Sequence, residues 1–279
     1  MRVLTLNANG IRSATSKGLP ALLASLAPDA VCFQEVRALE GAVPLPDGFA
    51  ECYWHAAERK GYSGVATLLP RPAGACRVGI GLAEFDIEGR VLVTELDETY
   101  AGDLGRIELI NVYAPSGTTG DERQAVKMRF LAHLVDFVSE RLKAAEEQGF
   151  EVLLCGDMNI AHSKLDIKNW SSNQKSSGFL PEERAWFSDF LGLGLVDVVR
   201  TLAGPELAIY SWWSQRAGAR ERDVGWRIDY QLASPRLAER ATAFGIPRLP
   251  IVSDHAPVWV EYCLRRDATA RGALPPQLG

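Results

Sequence analysis

The sequence predicts an α/β protein of the α+β type, a four-layer α/β/β/α sandwich in which two packed β-sheets are flanked by helices. Three observations support this prediction. Short β-branched or leucine-rich runs recur along almost the whole chain and have the length of buried strands. Fewer amphipathic segments of helical period lie between them. Hydrophobic residues make up 47 % of the 279 residues and charged residues 23 %, so the chain can form a large core.

The predicted strands share one property, which is that each leads into a polar residue of a type used in catalysis. The runs are residues 3–6 before Asn7, 31–33 before Glu35, 107–112 before Tyr113, 152–155 before Asp157 and Asn159, 226–228 before Asp229, and 251–252 before Asp254 and His255. Rigid scaffolds commonly place functional residues in loops at strand ends. A single polar strand end could be accidental, but six of them indicate a shared site.

Three helices are predicted between the strands. The longest covers residues 121–148 and ends before Gly149, a residue type that commonly terminates helices. Its apolar face consists of Met128, Leu131, Val135, Val138 and Leu142. A second helix opens at Pro181, which is followed by two acids, and a leucine-rich third precedes Pro28. We expect one domain over residues 1–264 and a flexible tail over residues 265–279.

Charge and cysteine usage narrow the class of protein. The net charge of −5 argues mildly against a nucleic-acid partner, although metal-binding carboxylates can lower the total without touching a phosphate-binding surface. The five scattered cysteines include no CxxC pair, which is typical of reduced thiols. No signal peptide and no apolar run of ~18 residues is present. We therefore expect a cytoplasmic protein, nucleoid-associated if bacterial, that makes no membrane contact.

Carboxylates after the predicted strands suit a hard divalent cation. They are Glu35, Asp157, Asp229 and Asp254, and Mg²⁺ and Mn²⁺ prefer such oxygen ligands. Zinc is disfavoured because the chain has four histidines and neither an HxxxH nor a CxxC pair. His255 could polarise a phosphate oxygen or relay protons, or it could be structural. No GxSxG or GxxxxGK[ST] motif occurs, which leaves hydrolysis by an activated water.

Eight motifs between residue 6 and about residue 262 carry a family resemblance. They are NANGIR at 7–12, CFQE at 32–35, KGYSGVA at 60–66, NVYAP at 111–115, GDMNIAH at 156–162, NQKSSGF at 173–179, VGWRIDY at 224–230 and SDHAP at 253–257. Together they resemble the exonuclease III type of abasic endonuclease, in the endonuclease/exonuclease/phosphatase superfamily. The blocks at 173–179 and 225–230 point to its DNA-repair branch.

The resemblance implies a DNA-repair phosphodiesterase that cleaves double-stranded DNA 5′ to abasic sites, leaves a 3′-hydroxyl and trims 3′ ends. The implied cofactor is Mg²⁺, for which Mn²⁺ can substitute. The implied metal ligands are Asn7, Glu35, Asp157, Asn159, Asp254 and His255, with Glu35 as the principal one. Whether one or two metals take part, and which group is the general base, stays open.

The resemblance also implies catalytic roles. The residues concerned are Tyr113, Asp157, Asn159, Asp229 and His255. Asp157 would orient or deprotonate the attacking water, and Asn159 would hold that water or the phosphate. His255, oriented by Asp229, would contact the scissile phosphate, which Tyr113 would also face.

The resemblance assigns substrate selection to an aromatic wall. Trp212, Trp226 and Ile228 would accept a flipped, base-less sugar, whose extrusion costs least when the base is missing. Further substrate contacts are assigned to Asn9, Lys60, Asn173 and Ser176, whereas Trp213 is expected to be core. Basic residues that could contact phosphates are Arg216, Arg220, Arg222, Arg227, Lys164, Lys168 and Lys175.

Two alternatives remain open from the residues. A superfamily phosphoesterase acting on inositol phosphates or sphingomyelin would share the metal and histidine chemistry and differ in its substrate loops. A catalytically silent DNA-binding or scaffolding protein would have no reason to keep the full catalytic set. We expect a monomer.

Overall fold

Two six-stranded mixed sheets form the centre of the fold in a computed structural model, which describes residues 1–264. The first sheet has the order β13 (Ala241–Gly245), β14 (Val258–Tyr262), β1 (Arg2–Asn7), β2 (Ala30–Gln34), β4 (Val65–Leu69) and β3 (Glu51–His55). The second has the order β5 (Cys76–Val78), β6 (Val91–Leu96), β7 (Ile107–Tyr113), β8 (Glu151–Asp157), β12 (Asp229–Ala233) and β9 (Val196–Asp197). A separate ribbon pairs β10 (Trp212–Trp213) with β11 (Gly225–Trp226).

The two sheets pack face to face around one apolar cluster. Val3 and Cys32 of the first sheet meet Leu153 and Cys155 of the second, and all four side chains are buried. Alternate residues of a strand point to opposite faces, so these positions leave the other face of each sheet free for helices.

Helices cover both outer faces. On the second sheet lie the long helix α5 (Asp121–Gln148) and α6 (Pro181–Leu191), and on the first lie α1 (Ile11–Ser16) and α2 (Leu19–Leu26). The remaining short helices are α3 (Ala83–Asp86), α4 (Glu98–Ala101), α7 (Val198–Ala203) and α8 (Pro235–Ala238). The predicted four-layer sandwich is confirmed. No helix within residues 1–264 combines the length and apolar character needed to cross a membrane.

The three predicted helices are present. Helix α5 has the predicted bounds, and Gly149 caps it in the left-handed conformation with its N–H bonded to the Ala145 carbonyl. Helix α6 starts at Pro181, and α2 ends at Leu26, ahead of Pro28. The expected tail over residues 265–279 lies outside the described residues.

Two of the six predicted strands are wrong. Residues 226–228 do not form one strand ending at Asp229, because Trp226 belongs to β11 and Asp229 opens β12. Between them the Arg227 N–H bonds to the Asp166 carbonyl, outside the ladder. Residues 251–252 lie in a loop in which Ile251 is exposed, and β14 starts only at Val258. Two apolar residues are too short a run to distinguish a strand from a loop.

Candidate active site

Strand register brings three predicted catalytic residues to one edge of the second sheet. Tyr113 is the last residue of β7 and pairs with Asp157, the last residue of the parallel strand β8. Asp229, the first residue of the antiparallel strand β12, also pairs with Asp157. The end of two strands and the start of a third therefore meet at the same level.

His255 reaches this edge from the loop before β14. The ribbon holds that loop, since the Trp213 N–H bonds to the Asp254 carbonyl at 3.2 Å and the Ala256 N–H to the Ser211 carbonyl at 2.7 Å. The Ser253 hydroxyl donates to the Asn7 carbonyl at 2.8 Å, which ties the loop to the first sheet as well. The placement of His255 therefore depends on both sheets.

The His255 imidazole lies between two buried carboxylates. Its Nδ1 is 2.9 and 3.1 Å from the two oxygens of Asp229, and its Nε2 is 3.8 Å from Oδ2 of Asp157. Burial disfavours the charged ring, but Asp229 outweighs it and raises the pKa of His255 to about 10. The ring is therefore cationic at neutral pH.

The pKa of the Asp157 carboxyl lies in a different range from that of His255. Burial raises the pKa of this carboxyl to about 7, although the charge of His255 acts in the opposite direction. Its Oδ2 accepts a hydrogen bond from the Asn7 amide at 2.8 Å, and its Oδ1 accepts one from the Asn159 N–H at 2.8 Å. A carboxylate of this pKa can take up and release a proton near neutral pH.

Asn159 has a left-handed backbone with φ of 52°, a conformation that asparagine tolerates better than most residues. Its side-chain amide donates to the Ala114 carbonyl at 2.9 Å. The side chain is thereby held beside Asp157, with 3.4 Å between the Asn159 amide nitrogen and Oδ2 of Asp157.

Asp254 is the centre of a second polar group. Its Oδ1 accepts the Asn9 amide at 2.8 Å and its Oδ2 accepts the Trp212 indole N–H at 3.1 Å. Partial burial opposes ionisation, but His255 and these donors lower the pKa of Asp254. Asn9 is linked to Asn7, whose side-chain oxygen accepts the Asn9 N–H at 2.9 Å.

Glu35 and Tyr113 complete the polar part of the site. Glu35 follows β2 with φ of 51°, and its carboxylate pairs with the Arg37 guanidinium. Burial and the nearby Glu35 and Asp157 raise the pKa of Tyr113 well above its ordinary value, so the phenol keeps its proton. The Arg90 guanidinium lies 5.0 Å from the centre of the Tyr113 ring.

An aromatic wall stands beside these polar groups. Trp212 and Trp226 pair across the ribbon with ring centroids 6.2 Å apart and planes at 82°. Ile228 is buried next to them, in a small cluster with Phe179. Gly178 packs closely on Trp226, since a Cβ at that position would lie 3.1 Å from the indole.

Most of the predicted residues line one cavity of about 770 Å³. They are Asn7, Asn9, Glu35, Tyr113, Asp157, Asn159, Ser176, Trp212, Trp226, Ile228, Asp254 and His255. Asp229 lies behind His255, and Asn173 behind Ser176, whose hydroxyl donates to it at 3.1 Å. Lys60 is exposed and does not line the cavity.

The cavity also contains residues that sequence reasoning missed. Arg37 and Gln124 both line it. Arg37 comes two residues after Glu35, so its nearness to the Gln-Glu motif was an available signal. Gln124 lies on α5, and a helical pattern alone does not reveal which polar residue faces a site.

Two of the proposed phosphate contacts have other partners. Arg227 is fully buried and pairs with Asp166 at 2.7 Å and Asp197 at 2.8 Å, so that prediction is wrong. Arg220 lies over the ring of Trp213, the expected core tryptophan, and donates to the Ser253 carbonyl at 2.8 Å. The exposed residues Arg216, Arg222, Lys164, Lys168 and Lys175 stay candidates.

The donor set fits a divalent cation. Within residues 1–264, the ligand atoms of Asp157, Asp229 and His255 lie within 4.8 Å of one another. The cationic His255 ring has no lone pair to offer a metal, so the donors of the site are carboxylates. Asp229 is already engaged by His255 through both oxygens. Glu35 and Asp254 line the same cavity and offer further carboxylate oxygens, the ligands that Mg²⁺ and Mn²⁺ prefer.

A four-layer sandwich with this carboxylate–imidazole cavity defines a hydrolase of the nuclease and phosphodiesterase class. The chain belongs to the Endonuclease/Exonuclease/phosphatase family, whose model matches residues 4–255. It is 36% identical over 259 residues to an exodeoxyribonuclease of Bacillus subtilis (strain 168), covering 92% of this chain and 98% of that protein. It is 34% identical over 267 residues to a DNA-(apurinic or apyrimidinic site) endonuclease of Dictyostelium discoideum, covering 93% and 70%.

A solved structure shows the same architecture. The 3′ phosphatase NExo from Neisseria, bound to a product DNA hairpin, superposes with a TM-score of 0.82 at 27% sequence identity. The match covers 94% of this chain and 99% of that one.

Proposed function

We propose that this chain is a Mg²⁺-dependent DNA-repair phosphodiesterase that cleaves double-stranded DNA 5′ to abasic sites and trims 3′ ends. One observation carries the proposal. The His255–Asp229 pair and Asp157 lie beside the aromatic wall of one cavity. We propose the monomer as the active unit.

The substrate class follows from the relatives and from the shape of the wall. An exodeoxyribonuclease, an abasic-site endonuclease and a 3′ phosphatase bound to DNA are among the proteins that it resembles. Trp212 and Trp226 place two indole rings beside the polar edge, where a bare sugar can pack without a base to accommodate. This favours DNA over inositol phosphates or sphingomyelin.

The cation would be held by Glu35 as principal ligand, with Asp254 and Asn7 close by. A bound divalent cation supplies positive charge that offsets the negative charge of the reacting phosphate. Arg37 pairs with Glu35 in the structure and is half exposed, so its side chain has room to move aside.

Asp157 is assigned to the attacking water. One water proton would pass to the Asp157 carboxylate as the water oxygen bonds to phosphorus in line with the leaving 3′-oxygen. The phosphorus–O3′ bond breaks, the 3′-oxygen takes a proton from solvent, and the phosphate stays on the 5′ end of the other fragment. A pKa of about 7 suits Asp157 to this exchange.

His255 is assigned to the non-bridging oxygens of the phosphate. Its Nδ1–H bonds to Asp229, which leaves Nε2–H free to donate to an oxygen whose negative charge grows in the transition state. Tyr113 and Asn159 would add neutral donors at the same edge. The phenol of Tyr113 keeps its proton at neutral pH and can therefore donate it in a hydrogen bond.

A substrate panel tests the proposal. Purified protein in Mg²⁺ would be given a duplex with one abasic site, the same duplex intact, a duplex with a 3′-phosphate end, and inositol phosphates. We expect cleavage at the abasic site and release of the 3′-phosphate, no internal cleavage of the intact duplex, and little action on inositol phosphates. Preferential hydrolysis of inositol phosphates would refute the DNA assignment.

A further inference from the structure

A buried ion pair lies directly behind the cavity. Lys127 of α5 and Glu183 of α6 form a salt bridge in which both side chains are fully buried. Lysine and glutamate are almost never fully buried unless they are paired. The Lys127 ammonium also donates to the Asn159 carbonyl at 2.8 Å, which connects the pair to the proposed active site.

The Glu183 carboxylate organises one side of the cavity. One of its oxygens accepts the Gly178 N–H at 2.6 Å and the Leu180 N–H at 3.0 Å. The other accepts the Gln124 amide at 3.0 Å, and Gln124 in turn accepts the Ser177 hydroxyl at 2.7 Å. The segment 177–180 lines the cavity, so one carboxylate holds this stretch of backbone in place.

The Lys127 contact acts on a site residue whose backbone is left-handed and bonded on both sides. Asn159 has φ of 52°, its N–H is bonded to Asp157 and its carbonyl to Lys127. A rotation of the backbone at Asn159 would break these bonds and swing its amide away from Asp157. The ammonium therefore helps to fix the direction of the Asn159 side chain.

The Lys127–Glu183 pair is also connected to the aromatic wall. The Gly178 carbonyl accepts the Ala161 N–H at 2.8 Å, which joins the segment 177–180 to the chain just after Asn159. Gly178 packs against Trp226. Movement of this segment would therefore shift the surface on which Trp226 rests.

We propose that Lys127 and Glu183 are positioning residues that hold Asn159 and the segment 177–180 in the geometry needed for cleavage. The inference rests on the proposed function. A buried salt bridge adds little stability over a well-packed apolar pair, because both charges lose their hydration. The role of this salt bridge is therefore orientation, because its hydrogen bonds fix the positions of groups in the site.

A second ion pair on the same helix, whose carboxylate is also bonded to Arg77, provides the control. Arg141 of α5 pairs with the buried carboxylate of Glu108 through two bonds of 2.8 and 2.9 Å. Neither residue lines the cavity. Arg141→Met therefore removes one partner of a buried carboxylate, and the substituted residue of α5 lies away from the cavity.

The experiment compares Lys127→Met and Arg141→Met in single-turnover cleavage of an abasic duplex at saturating enzyme, corrected for the folded fraction. We expect Lys127→Met to lower the rate roughly ten- to a hundred-fold with a smaller change in DNA affinity, because small misplacements of catalytic groups cost that much. Arg141→Met should keep the wild-type rate. If both variants keep it, the positioning role is refuted.

A double-mutant cycle separates positioning from general damage. If Lys127 acts through Asn159, the rate loss from Lys127→Met should largely disappear in an Asn159→Ala background. Fully additive losses would overturn the inference. If Lys127→Met does not fold, Glu183→Gln enters the same cycle, since it keeps the shape of the side chain.

Wild-type protein that fails to cut the abasic duplex would refute the proposed function, and this inference with it. An active wild type beside an unimpaired Lys127→Met refutes the inference alone.

Discussion

Nδ1 of His255 lies 2.9 Å from Oδ2 of Asp229, and this contact joins a loop that precedes the first sheet's strand β14 to the first residue of β12 in the second sheet. The pair is buried at the edge where the sheets meet. Its geometry leaves Nε2 as the only ring nitrogen free to meet a substrate, and it keeps the ring cationic at neutral pH.

We predict that His255→Ala lowers kcat by roughly 10²–10⁴-fold, the range typical of an oriented acid–base or charge-stabilising group. DNA affinity should change much less, because most of the binding energy comes from phosphate contacts elsewhere. Steady-state kinetics and a binding titration on the same abasic duplex check this. His133→Ala, an exposed change on α5, is the matched control. Near-normal kcat in His255→Ala would show a structural histidine.

Trp226 tests whether abasic recognition depends on the aromatic wall. Contact of its ring with a bare sugar should contribute ~1–3 kcal/mol, by analogy with base stacking on such rings. Trp226→Ala should therefore lower kcat/KM on abasic DNA by roughly ten- to a hundred-fold, since ~1.4 kcal/mol is tenfold. Its thermal stability should fall only modestly, because the ring is only partly buried and lines the cavity.

The buried neighbour Trp213 supplies the control for that experiment. Trp213→Phe should reduce stability while leaving cleavage per folded molecule close to wild type, since Trp213 is 1% exposed and does not line the cavity. Cleavage kinetics and an unfolding curve are measured on both variants. A large stability loss with unchanged cleavage in Trp226→Ala would assign that ring to the core.

The loop after Tyr113 bears on product release. Thr118 lines the cavity and is exposed, and no long basic side chain occupies its position. We predict that Thr118→Arg slows release of nicked DNA, because the new guanidinium can reach a phosphate. The steady-state rate should then fall below the single-turnover rate, whereas Thr119→Arg, one residue outside the cavity, should have a smaller effect. Equal single-turnover and steady-state rates in Thr118→Arg would refute a release effect.

Asp166 predicts a pH dependence of stability. Burial opposes its ionisation, but Arg227 and Arg200 outweigh it and hold the pKa of Asp166 well below its ordinary value. A lowered folded-state pKa stabilises the fold above the unfolded pKa of ~3.9 and loses that contribution as the pH falls further. Denaturant unfolding between pH 7 and pH 3 should show a stability loss in wild type that is smaller in Asp166→Asn. Parallel pH profiles would contradict this.

Much of the site could be predicted because strand periodicity and strand ends are local properties. Asn7, Tyr113 and Asp157 each end a strand whose apolar run is visible in the sequence, and strand ends commonly carry functional residues. Parallel pairing places Tyr113 beside Asp157, whereas Asn7 meets Asp157 across the two sheets. The helix over residues 121–148 was equally predictable, since its period, first-turn acids and terminal glycine agree.

Other features depend on tertiary contacts that a sequence does not show. Arginine is usually exposed, yet Arg227 is buried because Asp166 and Asp197, from distant segments of the chain, form ion pairs with it. Lys127 is likewise buried by Glu183, 56 residues further along the chain. Residues 251–252 have the composition of a strand, but the run is too short to identify one, and Ile251 is exposed in the structure.

The most direct test of metal-dependent hydrolysis 5′ to an abasic site is the chemical identity of the ends that the protein makes. An abasic duplex would be incubated with chelator-treated protein, with and without added Mg²⁺ or Mn²⁺, and the fragments analysed by mass spectrometry. We predict no cleavage in chelator, and with metal a 3′-hydroxyl on one fragment and a 5′-phosphate on the fragment that carries the abasic sugar. Full cleavage in excess chelator, or an unsaturated sugar left at the 3′ end, would contradict hydrolysis by this site.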